Sequence, residues 1–133
     1  MNPWCRNTLR IGGRNPLSVL RAISPLPDEE LAALINHRWH DMLFSGELIS
    51  FETLLPRPKG VADNDLDWYQ ENWGTIWDAV DVFISKQQED LLELHFRTRD
   101  TPPIPFLAEL RRRFPDHSFE LEAKEPYKPV ARY

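Results

Sequence analysis

The amino-acid sequence predicts an α+β fold in which helices pack on one face of an antiparallel sheet. Three observations predict it. Several stretches alternate apolar and polar residues with a period of two, others place apolar residues three and four apart, and the two kinds succeed one another with hairpin and crossover links. At 133 residues the chain has the size of one domain, and residues 1–133 are expected to share a single core.

The first strand reads Cys5, Asn7, Leu9 and Ile11 on one side and Arg6, Thr8 and Arg10 on the other, and ends at Gly12-Gly13. Asn15-Pro16 is expected to cap and open a short helical turn that Ser24-Pro25-Leu26-Pro27 stops. A long helix follows from about Pro27 to Leu43, with Asp28, Glu29 and Glu30 in its first turn and Leu31, Leu34, Ile35, Trp39 and Met42 as its apolar stripe. Leu48 to Leu55 reads as a strand ended by Pro56-Arg57-Pro58. After a polar loop, Lys59 to Asn64, the aromatic segment Leu66 to Trp77 is expected to hold one short helix.

Two strands, Ala79 to Ile84 and Leu91 to Thr98, then form a hairpin. A helix from Ile104 to Phe114 presents Phe106, Leu107, Leu110 and Phe114, and a last strand, Ser118 to Ala123, alternates Phe119, Leu121 and Ala123 with Glu120, Glu122 and Lys124. This order is that of ferredoxin-like α+β folds. Leu9, Ile11, Leu34, Trp39, Phe51, Val82, Leu94, Phe96, Leu107, Leu110, Phe119 and Leu121 are expected in the core. By alternation the opposite, open face carries Arg6, Thr8, Arg10, Asp81, Glu93, His95, Arg97, Glu120 and Glu122.

Composition excludes several classes. The single cysteine, Cys5, cannot form a disulfide within the chain, which favours a reducing compartment. The longest apolar run, Leu31 to Ile35, is far short of the roughly 20 residues of a membrane span, so a cytoplasmic protein without membrane contact is expected. Net charge is −5, unevenly spread. Residues 1–27 hold four bases and no acid, residues 28–100 sixteen acids against six bases, and residues 101–133 five acids against six bases.

The run Pro3-Trp4-Cys5-Arg6-Asn7-Thr8-Leu9-Arg10-Ile11-Gly12-Gly13 resembles the YubB-like ferredoxin-like domain family of plasmid and phage proteins of unknown function. Phe51 to Pro58 is similar to its strand ending in Pro-x-Pro, and Asn72-Trp73-Gly74-Thr75-Ile76-Trp77-Asp78-Ala79 to its most distinctive motif. Phe96-Arg97-Thr98, Pro102-Pro103 and Phe114-Pro115 follow in order. The chain departs from the pattern at Ile76, where the family usually has Lys, and at Arg99-Asp100-Thr101, where an aromatic is usual. The resemblance implies a ferredoxin-like shape without an iron–sulfur cluster, a mobile-element origin and accessory roles such as disarming a host defence system; it implies no catalytic residues.

No cofactor is expected. His37 and His40, three apart, have a spacing compatible with metal ligation, with His95, His117 or Cys5 as distant completions, but exposed histidines are the simpler reading. Asp63, Asp65, Asp67 and Asp78 lack the glycine and closing glutamate of a calcium loop, and Asp65 suits a helix cap. No phosphate loop, hydrolase elbow or dinucleotide fingerprint is present. Nucleic-acid binding through the N-terminal arginines and Arg111-Arg112-Arg113 is the alternative, set lower because the open face shows mixed charges and no aromatic. Trp4, Trp39 and Trp77 are expected in the core and Trp68 at the surface.

The leading expectation is a non-enzymatic protein-binding module acting on a host protein or complex; an uncharacterised enzyme, with chemistry from His95 or the aspartates, is a further alternative. The module's predicted contact is the acidic and aromatic stretch Asp63, Asp65, Asp67, Trp68 and Tyr69.

Overall fold

Alternation of buried Cys5, Asn7, Leu9 and Ile11 with more exposed neighbours folds Trp4–Gly12 into β1, the centre of the sheet. The computed structural model describes residues 3–37 and 48–133. Helices α1 (Leu17–Ile23), α2 (Asp28–His37), α3 (Phe51–Leu54) and α4 (Leu66–Asn72) come next, followed by the hairpin strands β2 (Val80–Gln87) and β3 (Leu91–Arg99). Helix α5 (Ile104–Arg113), strand β4 (Ser118–Lys124) and the two-residue strand β5 (Ala131–Arg132) complete the chain.

The strands form one antiparallel sheet in the order β2-β3-β1-β4-β5. β1 pairs with both β3 and β4, which places a crossover on either side of the hairpin and makes the arrangement ferredoxin-like. Leu9, Ile11, Leu92, Leu94, Phe96, Phe119 and Leu121 meet Val19, Leu20 and Ile23 of α1, Leu31 and Leu34 of α2, and Phe106, Leu107 and Leu110 of α5 in one core. Phe51 lies at its aromatic centre, with ring centroids 4.6 Å from Phe106, 5.8 Å from Trp73 and 6.2 Å from Phe96. The expected core residues are all buried except half-buried Val82, with Trp39 outside the described residues.

Four local expectations are corrected. Leu48 to Leu55 is not a strand: its centre is the short helix α3, whose first N–H, from Phe51, is accepted by the distant Asp78 carboxylate at 2.7 Å. A short apolar run does not separate the two structures by periodicity. Asn15 does not cap α1 with its side chain; it adopts φ 52° and offers its carbonyl to the Ser18 N–H and hydroxyl.

The β2–β3 hairpin is tighter than expected, and β2 carries register shifts between Val80 and Phe83 and between Ile84 and Lys86, with Asp81 at φ 53°. β5 has no counterpart in the periodicity. Of the long helix, Asp28 to His37 is helical; Trp39 and Met42 of its predicted stripe lie outside the described residues. Among the described residues no helix is long and apolar enough to cross a membrane.

Candidate functional site

The predicted contact segment turns out to brace the fold. Asp65 caps α4, its carboxylate accepting the Trp68 N–H at 3.1 Å, as its type and position suit. The Tyr69 hydroxyl donates to the Asp63 carbonyl at 3.0 Å. Trp68 and Tyr69 are half-buried, their rings 5.9 and 4.6 Å from that of buried Trp73. Trp68 is therefore a partly covered buttress of the core, and the exposed groups of the segment are Asp63, Asp65 and Asp67.

The adjoining motif, Asn72 to Ala79, anchors three elements. The Trp73 indole N–H donates to the Leu55 carbonyl at 2.9 Å and the buried Thr75 hydroxyl to the Arg99 carbonyl at 2.8 Å. Gly74 adopts φ 93°, and a Cβ there would lie 2.6 Å from Pro105 Cδ and 2.9 Å from the Pro102 carbonyl oxygen. Only glycine admits that approach at that angle. Asp78 accepts from Phe51, Ala79 and Ser50.

Trp77 does none of this. It is 47% exposed, contrary to its expected place in the core, and its ring lies 5.8 Å from that of Trp4. The Arg99 guanidinium sits over both rings, 4.9 Å from Trp77 and 5.8 Å from half-buried Trp4. Trp4 alternates with buried Cys5 and Arg99 with buried Thr98, so this cation–aromatic cluster stands at one end of the open face.

Charges on that face are arranged in rows across the strands. In one row Arg10 stands directly opposite Glu93 of β3 and Glu120 of β4, at 2.8 and 4.0 Å, so opposite charges alternate. The Ser85 hydroxyl, together with Arg10 and His95, holds the Glu93 carboxyl below the usual carboxylate range. Two rungs away the pattern inverts. Arg6 stands directly opposite Arg97 of β3 and Lys124 of β4, three cations side by side.

Arg97 reaches the exposed Asp81 at 3.6 Å, whereas Arg6 has neither an ion pair nor a hydrogen bond among the described residues. Beside this row a cleft of about 330 Å³ is lined by Trp4, Arg6, Lys124, Glu125, Pro126 and Tyr127, the last 83% exposed. Farther along, β2 places Phe83 on the same face, 52% exposed and stacked on His95 at 5.1 Å.

The face therefore carries aromatics, which removes one of the two grounds for setting nucleic acid lower; its charges are of mixed sign, as expected. The other expected basic feature is engaged internally: Arg111 donates to the Phe119 carbonyl at 2.7 Å, and Arg112 and Arg113 pair with Glu109. Cys5 is buried, and burial pushes its thiol up to about 11, away from nucleophilic use. The His37 side chain and His40 lie outside the described residues. Among the described residues no group of three or more His, Cys, Asp or Glu side chains is placed to hold a metal ion.

The fold is similar to that of a protein api92 from Yersinia pseudotuberculosis. That crystal structure, of the family designated DUF1281, superimposes with a TM-score of 0.63 over 100% of this chain and 94% of its own. At 12% identity the likeness is one of fold. No family model matches the sequence, and no curated protein matches it.

Sequence reasoning left Trp4, Phe83, Arg99 and Lys124 out of the face, although each continues an alternation already read, Phe83 following Asp81 by two. Trp77 had no such signal, since an irregular turn orients it.

Proposed function

We propose that the protein is a non-enzymatic binding module that engages an anionic partner through the open face of its sheet. The observation that carries this reading is the Arg97–Arg6–Lys124 row. Like charges directly opposite one another across strands destabilise a sheet. The neighbouring Glu93–Arg10–Glu120 row has the stabilising alternative, so the cationic row has a cost that an anion lying over Arg6 would offset.

The resemblance to plasmid and phage proteins supports a partner from the host of a mobile element, in keeping with an accessory role. Binding then moves from the Asp63–Tyr69 segment, which braces α4, to the sheet.

Retention on an immobilised polyanion such as heparin tests the reading. Despite its net charge of −5, the protein should be held at low salt and released as salt rises. The double variant Arg6→Glu, Lys124→Glu should pass straight through, while Arg21→Glu, on α1, should be held like the wild type. Free passage of the wild type, or equal retention of the double variant, overturns it.

A further inference from the structure

Resting on that reading, we propose that the anionic partner is single-stranded nucleic acid, its phosphates on the Arg97–Arg6–Lys124 row and its bases on Trp77 and Tyr127. Two independent features of the face point there. The first is charge. Neighbouring strands lie about 4.8 Å apart, so the outer cations of the row are separated by roughly 10 Å, long enough to meet more than one phosphate. Arg6, in the middle, is in no ion pair among the described residues, and the Glu125 that shares its cleft is paired with Lys128 at 3.5 Å.

The second feature is aromatic. A purely electrostatic site for an acidic peptide has no use for rings, yet Trp77, nearly half exposed, stands with Arg99 one rung along from the row, and the exposed Tyr127 lines the same cleft as Arg6. The cleft of about 330 Å³ that Tyr127 lines has room for a planar base, with Arg6, Lys124 and Glu125 in its wall. Every base has a π face, so such platforms bind single strands with little sequence preference. Stacking also selects against duplex, whose bases are already stacked on one another and whose backbone alone would reach the row.

Arg99 has a different part. Its guanidinium is held over Trp4 and Trp77 and shared with Asp100 at 3.6 Å, so it fixes the half-exposed Trp77 ring in place for the ligand.

Fluorescence anisotropy with labelled 12-mers tests the inference on the full chain at 50 mM salt. Oligo(dT), oligo(dA) and oligo(U) should bind, a 12-base-pair duplex and poly-glutamate at least tenfold more weakly. Trp77→Ala should weaken oligo(dT) binding roughly tenfold or more, as loss of one stacked base does. Tyr127→Ala is the second variant, because a side chain this exposed can be removed without opening the core. The logarithm of affinity should fall with the logarithm of salt at a slope of about −2, the value for three phosphates on a single strand.

Absence of binding by all three oligonucleotides, or equal affinity for the duplex or for poly-glutamate, overturns the inference. If the Arg6, Lys124 pair still governs heparin retention in that case, the anionic-partner reading stands and only the nucleic acid is wrong. Oligonucleotide binding untouched by Trp77→Ala, Tyr127→Ala and the double charge reversal places the contact elsewhere and overturns both.

Discussion

Asp78 divides one carboxylate among three donors on two segments: Oδ1 accepts the Phe51 N–H at 2.7 Å and the Ala79 N–H at 2.8 Å, and Oδ2 the Ser50 hydroxyl at 2.5 Å. Ser50, Phe51 and Ala79 are all buried and Asp78 is half-buried, so loss of the carboxylate leaves three donors with only the water that reaches its place from one side. Leaving a buried donor unsatisfied costs about 1–3 kcal/mol. Asp78→Ala should therefore lower the unfolding free energy by about 2–3 kcal/mol in urea titration, and Asp78→Asn, which keeps one acceptor oxygen, by less. A change below about 0.5 kcal/mol for Asp78→Ala would mean that α3 stands without this contact. Arg6 shows the opposite balance, a side chain that contributes no described bond to the fold and lies where two other cations repel it.

At the scale of elements, α5 closes on its own acid. Glu109 is flanked at three and four residues by Arg112 and Arg113, and the hydrogen bond from Arg112 holds its carboxyl down to about 2. A carboxylate whose pKa is depressed by folding adds stability above its unfolded value, and that stability is lost as pH falls through the folded value. The urea midpoint of Glu109→Gln should thus lie below that of the wild type at pH 7, and the gap should close between about pH 4.5 and pH 2. A gap independent of pH would assign the effect to packing. Elements with a clean period, β1, β3, β4 and α5, were legible in the sequence almost to the residue. α3 was not, because a four-residue helix shows no full period and its stabilising partner, Asp78, lies 27 residues from Phe51. The open face was half legible. Alternation finds Arg6 and Arg97 and, from Asp81, also Phe83, but the irregular turn that brings Trp77 beside Trp4 leaves no mark on composition.

For the molecule as a whole, long-range pairing and one aromatic centre predict that the helical layer and the sheet unfold together. β1 is held on both sides by strands distant in the chain, from Leu91 onward, and Phe51 touches rings from the turn after α4, from β3 and from α5. Truncating a fully buried phenylalanine costs about 3–5 kcal/mol, a large share of the roughly 5–15 kcal/mol that holds a domain. Phe51→Ala should lower the melting temperature by about 10–20 °C, given the unfolding entropy of a chain this size. Because the loss falls on contacts shared by every layer, far-UV circular dichroism and tryptophan fluorescence should report the same midpoint in wild type and variant. If fluorescence moved to lower temperature while dichroism did not, Phe51, Trp68 and Trp73 would belong to a separately melting unit resting on an independently stable sheet. The open face would then keep its cationic row through the first transition, and the Phe51→Ala protein would still be retained on heparin at a temperature where its fluorescence had already changed; in a single cooperative unit, retention and fluorescence are lost together.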